Sequence, residues 1–238
     1  MKTNLIEDSL NFYNSFKGST LDEYRKKHKS YFDHVDRIII DRILLNNKRS
    51  SLLDIGCGDG VRAKNISGLT GIESTLLIDN CQNMVDICNA FSGLACKKCL
   101  NSNAIISDAE SFNFNKKFDV ILCLANLLGH LNNVQACINN IFNHLSEGGI
   151  AFVEVNNKYH VGKYGLLNVL KNIFGDLLRT HSGKFKIVSF DSYVYLHNPF
   201  ELDSKMRCFA YEKFFINNNG YSNMFNGNLL YVLKKRKA

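Results

Sequence analysis

The chain has 238 residues, of which 45% are hydrophobic and 21% are charged, and its formal net charge is +7. This length allows one large α/β domain with a sizeable core. The sequence contains no run of about 18 apolar residues, which excludes a transmembrane helix, and its first residues lack the apolar stretch of a signal peptide. We therefore expect a soluble protein with a cytoplasmic location and no membrane partner.

The eight cysteines are expected to be free thiols, because disulfides are rare in proteins that carry no export signal. Cys81, Cys88, Cys96 and Cys99 lie close together in the sequence, and the last two have the spacing of half a zinc site. A second close pair or a partner histidine is missing, so we expect no metal.

Two basic runs, at residues 25–29 and 234–237, supply part of the positive charge. Such runs can bind phosphates, but they are more often solvated surface, and neither run is interleaved with aromatic residues. Nucleic acid is therefore not expected as a partner.

The first elements in chain order are helical. Residues 1 to 30 mix aromatic and charged residues without strand alternation, and residues 31 to 45 have the apolar spacing of an amphipathic helix. An apolar strand then leads into a turn with glycines at the alternate positions Gly56, Gly58 and Gly60. Glycine lacks a Cβ, so the backbone of such a turn can approach a ligand closely, although the pattern alone also fits an ordinary tight turn.

Strands and helices alternate after this turn. We predict strands at 74–79, 104–108, 118–124 and 150–155, and helices from Val61, after Asn80 as N-cap, and over 134–145 with Gly148 and Gly149 as its end. This alternation predicts a parallel sheet covered on both faces, with ligands at the carboxyl ends of the strands.

The last third predicts a cap and a closing unit. Residues 156–203 contain one predicted helix, over Leu166 to Leu178, and two short strands, and we expect them to cover the strand ends. Residues 204–238 are predicted to form helical turns around 206–217 and then strands. Tyr159, His160 and Arg179 are further candidates for the pocket.

From about Leu52 to Glu154 the chain resembles the class I S-adenosylmethionine-dependent methyltransferases. Five segments match in the right order, and they are the run 52–60, the acid Asp79, the step 107–110, the stretch 118–131 and the turn 145–149. The resemblance implies one domain over 1–238 with a Rossmann-like, doubly wound α/β fold: a mostly parallel seven-stranded sheet with an antiparallel last strand. It further implies an N-terminal helical lid (1–48), a cofactor core (49–155), a cap insertion (156–203) and closing elements (204–238).

The same resemblance implies S-adenosylmethionine as the cofactor and a set of residues that bind it. The glycine turn would line the methionine part, Asp79 would hold the ribose hydroxyls, and the segment at Asp108 would contact adenine. The expected cofactor-binding residues are Asp54, Gly56, Cys57, Gly58, Asp59, Gly60, Asp79, Asn80, Asp108, Ala109, Glu110, Leu124, Ala125 and Asn126. Asp79 has an alternative role as a helix-capping acid, and Asp108 one as a turn acid.

A nicotinamide-dependent oxidoreductase is the nearest rival from the pattern. Its fingerprint is Gly-x-Gly-x-x-Gly, whereas the third glycine here comes one position early. Asp59 would also face a pyrophosphate, which is unfavourable for a carboxylate but acceptable beside a sulfonium.

Tyr13 and His130 are the candidate catalytic residues, because they resemble the Tyr and His beside the acceptor amine of small-molecule and deoxysugar N-methyltransferases. A histidine near its free pKa of about 6.5 could accept the acceptor's proton, so we expect the rate to fall below that pH. The expected partner is a small-molecule acceptor with an amine or hydroxyl, and a homodimer stays open. An RNA or protein methyltransferase and a non-catalytic cofactor-binding module remain as alternatives.

Overall fold

The computed structural model describes residues 5–90, 103–178, 184–187 and 192–236, without the side chains of residues 19, 184–187, 192 and 193. The helices are α1 (Leu5–Asn14), α2 (Gly18–Lys27), α3 (Lys29–Leu44), α4 (Val61–Thr70), α5 (Gln82–Ala90), α6 (Val134–His144), α7 (Val161–Tyr164), α8 (Leu166–Leu177) and α9 (Pro199–Lys205). The strands are β1 (Ser51–Ile55), β2 (Ser74–Asp79), β3 (Asn103–Ile106), β4 (Phe118–Cys123), β5 (Leu145–Val155), β6 (Lys184–Ile187), β7 (Ser192–Tyr195), β8 (Phe209–Asn217), β9 (Gly220–Tyr221) and β10 (Asn228–Lys235). A short 3₁₀ turn spans Leu127–His130.

One sheet organises the chain, and its strand order is β3-β2-β1-β4-β5-β10-β8-β9. The strands β1 to β5 pair in parallel, whereas β10 is antiparallel to both β5 and β8. The predicted mostly parallel, doubly wound α/β sheet is confirmed. It has eight strands rather than seven, because the turn after Asn217 adds the two-residue strand β9.

Each face of the sheet is covered by its own apolar core. One core packs α6 and α9 on the sheet, with Ile138 and Leu202 fully buried. The other packs α3, α4 and α5, with Ile39 and Ala63 fully buried. Since the parallel strands run the same way between these layers, their carboxyl ends meet at one edge, where the predicted site residues lie.

Two predicted boundaries are wrong. Gly148 and Gly149 do not end α6, which stops at His144; they lie inside β5, where an irregular register against β4 accommodates the positive φ of Gly148. The segment 206–217 is largely strand instead of helix, because it pairs along β10 and its apolar side chains alternate between the two cores, with Phe215 in one and Ile216 in the other. The helix of the closing unit comes earlier, at Pro199–Lys205, where the Asn198 side chain accepts a hydrogen bond from the amide of Phe200.

The N-terminal helices and the cap meet over the carboxyl edge of the sheet. Helix α1 contacts α5, the 3₁₀ turn and β7. The two strands predicted here form as β6 and β7, which pair antiparallel to each other, and α8 forms over nearly the predicted residues. Helix α1 and strand β7 therefore lie together at this edge.

Candidate active site

The glycine turn after β1 needs its glycines for conformation and for space. Gly56, Gly58 and Gly60 have φ values of +69°, +55° and +70°, a region that side chains rarely adopt. A Cβ on Gly60 would lie 2.4 Å from the Cys88 sulfur, and one on Gly56 would lie 2.7 Å from Leu127. A Cβ on Gly58 would meet no atom within 4 Å. The turn is therefore packed at both ends and open in the middle.

Asp79 at the end of β2 holds this turn in place. One of its carboxylate oxygens accepts a 2.9 Å bond from the Gly58 amide, and the other accepts a 2.9 Å bond from the Cys81 amide. Burial raises the pKa of Asp79, while these amides and that of Asn80 oppose the shift. The carboxylate thus has the predicted capping role as well as a place beside the turn, where its remaining lone pairs can accept further hydrogen bonds. Asn80 itself is not the N-cap, since α5 begins two residues later, at Gln82.

Two further acids border the turn. Asp54 is buried on β1, its carboxylate has no hydrogen-bond partner within the part of the chain that the structure describes, and burial raises its pKa well above the ordinary value. Asp59 accepts a 3.2 Å bond from the amide of Val61 and forms an ion pair with Arg25 of α2 at 2.5 Å. Arg25 also pairs with Asp22. Arg25 thus reaches the glycine turn, whereas the sequence predicts its run 25–29 to be solvated surface.

The segment after β3 uses its side chains for structure. Asp108 accepts a 2.9 Å bond from the amide of Glu110, as a turn acid does. Glu110 accepts bonds of 2.7 and 2.9 Å from the amides of Asn132 and Asn133. Ala109 is buried in the core. Because these side chains are already engaged, the backbone of the segment is the part that is left to make the predicted contact with the cofactor.

The chain leaves β4 through two residues in an unusual conformation. Ala125 and Asn126 have φ values of +53° and +65°, although neither is glycine, and such strain is common at functional sites. Ala125 is exposed, whereas Leu124 before it is buried. The Asn126 side-chain oxygen accepts a 2.8 Å bond from the Asn156 amide, and its buried nitrogen has no partner within the described ranges.

A buried ionic network supports this segment from below. Glu154 of β5 accepts bonds from the Ala125 amide at 3.1 Å, from Arg62 at 2.8 Å and from the Tyr31 hydroxyl at 2.8 Å. Arg62 also donates to Asp36 at 2.6 Å. Burial alone would raise the pKa of Glu154, but Arg62 and the other donors outweigh it and hold that pKa below its ordinary value. Sequence reasoning did not single out Glu154, Arg62, Tyr31 and Asp36, because they come from three separate elements.

The two candidate catalytic residues lie side by side. The ring centres of Tyr13 and His130 are 5.8 Å apart, in an edge-on arrangement, and Ser9 Oγ lies 2.7 Å from Nδ1 of His130. Burial lowers the pKa of His130 to about 4. Burial together with the charge of Asp79 raises the pKa of Tyr13 well above its ordinary value, so Tyr13 is a neutral phenol near that acid. The structure thus brings Tyr13, His130 and Asp79 into one site, with Ser9 as a further residue.

Other predicted features contribute less. The hydroxyl of Tyr159 donates a 2.7 Å bond to Asp176 inside the cap, and Arg179 lies outside the described residues. Cys81 and Cys88 are free and buried, whereas Cys96 and Cys99 lie outside the described residues. In the described ranges, no three His, Cys, Asp or Glu residues are grouped as metal ligands would be, and no helix is both long and apolar enough to cross a bilayer.

Comparison with known proteins identifies the family. The sequence model of the methyltransferase domain matches residues 24–204. Curated relatives include a ubiquinone biosynthesis O-methyltransferase of Rickettsia canadensis, 32% identical over 107 residues, which cover 45% of this chain and 43% of the relative. The corresponding protein of Rickettsia prowazekii is 31% identical over 123 residues, or 50% of this chain and 46% of the relative. The match thus spans less than half the length of these relatives.

Solved structures share the fold at low sequence identity. An S-adenosylmethionine-dependent methyltransferase from Clostridium acetobutylicum has a TM-score of 0.66 at 15% identity, over 92% of this chain and 99% of that one. The N-methyltransferase NodS from Bradyrhizobium japonicum, solved with S-adenosyl-L-homocysteine, has a TM-score of 0.62 at 14% identity, over 98% and 100%. The fold and the matched family model confirm the predicted resemblance. This chain therefore belongs to the methyltransferase-domain family.

Proposed function

We propose that this enzyme transfers a methyl group from S-adenosylmethionine to an amine or hydroxyl of a small-molecule acceptor. The observation that carries the proposal is the position of α1, which crosses the carboxyl edge of the sheet between α5, the 3₁₀ turn and β7. Because this helix, which carries Tyr13, lies over His130 and the ends of the strands, a small molecule can enter more readily than the surface of a folded macromolecule. The enclosure also excludes water from the reaction.

The residues around the glycine turn suit the cofactor. The open side of Gly58 offers the backbone to a ligand, and Asp79 beside it can accept hydrogen bonds from a ribose diol. When bound, the cofactor supplies an electrophilic methyl group on a sulfonium. In this proposal the glycine turn holds the methionine part, Asp79 the ribose and the backbone at 108–110 the adenine, while residues 124–126 border the reacting end.

The chain's own contribution to the chemistry is mainly alignment. Holding two reacting groups in the correct geometry can contribute about 7–11 kcal/mol, and a methyl transfer needs little else from the protein. Tyr13 and His130 are the side chains that would orient the acceptor, and the 2.7 Å contact with Ser9 fixes the His130 ring. If Nδ1 donates its proton to Ser9, then Nε2 is the acceptor that faces the substrate.

The expected pH dependence changes with the environment of His130. Burial lowers its pKa to about 4, so the imidazole stays neutral well below the pH of about 6.5 that its free pKa indicates. We therefore expect the loss of activity on acidification near pH 4. A neutral imidazole of this kind can still accept the proton that an amine or hydroxyl loses during transfer.

The relatives leave the accepting atom open. Those found by sequence are named as O-methyltransferases, whereas an amino pentose methyltransferase from Micromonospora echinaspora is among the solved structures with this fold, with a TM-score of 0.62 at 14% identity over 93% of this chain and 98% of that one. Both kinds of name support an acceptor of low molecular weight. A screen of acceptors is therefore needed to decide whether the methyl group goes to oxygen or to nitrogen.

Methyl uptake from labelled S-adenosylmethionine, measured on panels of hydroxylated metabolites, amines, amino sugars, RNA and proteins, tests the proposal. Once an acceptor is found, His130→Ala should lower turnover roughly 10²-fold while cofactor affinity stays nearly unchanged. The control is His34→Ala, because His34 makes a surface contact with the Ser30 carbonyl. Labelling confined to RNA or protein would overturn the small-molecule assignment, and full turnover in His130→Ala would assign His130 to packing.

A further inference from the structure

Helix α8 in the cap carries an apolar stripe that faces solvent. Its members are between 40% and 80% exposed, and they are Leu166, Leu167, Leu170, Phe174, Leu177 and, just after the helix, Leu178. At 100° per residue these positions fall within an arc of about 120°, which is one continuous face. No other helix of the described chain exposes so many large apolar side chains.

The opposite face of α8 is anchored to the protein by polar groups. Asp176 pairs with the buried Lys158 at 2.5 Å and accepts bonds from the Tyr159 hydroxyl at 2.7 Å and the Asn198 side chain at 3.0 Å. Asn172 donates a 3.1 Å bond to the Lys158 carbonyl. Because these contacts fix the rotation of α8, its apolar stripe cannot turn inward without breaking a buried ion pair.

This orientation is the reverse of an ordinary surface helix, which buries its apolar face and exposes its polar one. A contiguous apolar patch on a protein surface usually marks a docking site. The charges around the stripe indicate what docks there. Lys171 lies on α8 beside the stripe and Lys163 lies on α7 just before it, whereas the one acid of α8, Asp176, is paired with Lys158 on the opposite face.

We propose that α8 docks the protein on the surface of a lipid bilayer that carries anionic headgroups. An exposed apolar stripe bordered by basic residues is the composition of helices that lie in the plane of a membrane interface. A second copy of the chain fits less well, since its own lysines would meet these lysines. The absence of a spanning run, from which no membrane partner was expected, does not bear on such a helix.

The position of α8 connects this docking to the active-site edge. The helix follows α7, where the Lys163 amine lies 2.9 Å from the Asn156 side-chain oxygen, one residue beyond the end of β5. Docking would therefore bring the open edge of the sheet close to the bilayer. The proposal goes beyond methyl transfer and does not depend on it.

Vesicle flotation of the full chain tests the proposal, with phosphatidylcholine vesicles that contain or lack about a third of phosphatidylglycerol. We expect at least about tenfold more protein to float with the anionic vesicles, and a clear decrease in 0.5 M salt. The double variant Leu167→Glu/Phe174→Glu should lose this binding at least about tenfold, since it places charge on the stripe. The matched control Leu69→Glu alters an equally exposed leucine on α4, and it should float like the unchanged protein.

Thermal melting with and without S-adenosylmethionine shows that each variant is folded and binds cofactor, which separates this test from that of the proposed function. Light scattering of the same samples reports the oligomeric state. Equal flotation of the double variant and the unchanged protein would overturn the proposal. The proposal would also be overturned if the unchanged protein did not float and formed a dimer that the double variant does not form, because the stripe would then be the contact with a second copy.

Discussion

The glycine turn at residues 56–60, here called the cofactor turn, and the shell above it, formed by the N-terminal helices and the cap, are built in different ways. The turn is tied to the next strand, with Gly58 and Asp79 only 21 residues apart, whereas Ser9 and His130 are separated by 121 residues and Leu5 and Asn132 by 127. Local contacts make the turn an autonomous feature of the sheet. The acceptor side of the site exists only when distant parts of the chain have come together.

The largest effect is expected where the two regions are joined. Arg62→Leu leaves the buried Glu154 and the partly buried Asp36 without their cation, and removing one partner of a buried pair costs about 3–5 kcal/mol. Urea unfolding should show a loss of that size. The control Arg42→Leu removes an exposed pair with Glu212 and should cost less than about 1 kcal/mol. Equal losses would show that the network does not join core and shell.

Acid should destabilise the shell through His197, which is 1% exposed beside the cap hairpin. Burial lowers its pKa to about 4. Between pH of about 6.5 and 4 the imidazole is therefore protonated in the unfolded chain and neutral in the folded chain. The free energy of unfolding should therefore decrease by roughly 3 kcal/mol between pH 6.5 and 4. His197→Phe should remove most of this contribution. The prediction would be contradicted if the free energy of unfolding, measured by urea titration at several pH values, fell with pH equally in His197→Phe and in the unchanged protein.

Cofactor affinity should respond to the core alone. Asp79→Ala should weaken S-adenosylmethionine binding by at least about 1.5 kcal/mol, measured by calorimetry, because charge-assisted bonds to the ribose are lost. Asp119→Ala is the control, since Asp119 accepts bonds from Ser50 and Ser146 at the opposite edge of the sheet. That change should leave the affinity intact. If Asp79→Ala binds cofactor normally, its carboxylate serves only the turn.

The smallest expected change in stability separates strain from ligand contact. Gly58 and Gly71 both have left-handed backbones, with φ of +55° and +72°, and a Cβ at either position meets no atom within 4 Å. Gly58→Ala and Gly71→Ala should each cost about 1 kcal/mol of stability. Only the first should also weaken cofactor binding. Equal affinities in both variants would mean that the turn does not approach the cofactor.

The sequence predicted the region whose contacts are local. The strand before Gly56, the helix from Val61 and the acid Asp79 all follow from short patterns, and the alternation of strands and helices predicted the parallel sheet. Gly148 misled because glycine is common both at helix ends and in irregular strands. The segment 206–217 misled because its alternation becomes informative only when β10 is known to be its neighbour.

The contacts of the shell could not be predicted from the sequence, for a different reason. Arg25 lies in a run of charges that looks solvated, and only the docking of α2 brings it to Asp59. The helix at Leu166–Leu177 was predictable from its spacing, but the direction of its apolar face depends on the ion pair between Asp176 and Lys158. Pairings across such distances leave no periodic signal in a single sequence.

The contacts of α1 also set an order of events during synthesis. Residues 5–14 leave the ribosome early, yet they pack on β7, which ends at Tyr195. At 5–20 residues per second, α1 waits about 10 to 40 s for that partner to be translated. The parallel strands β1 to β5, which all precede β7 in the chain, can pair while α1 is still without that partner. A nascent chain can therefore acquire its cofactor turn well before it acquires an enclosed reaction chamber.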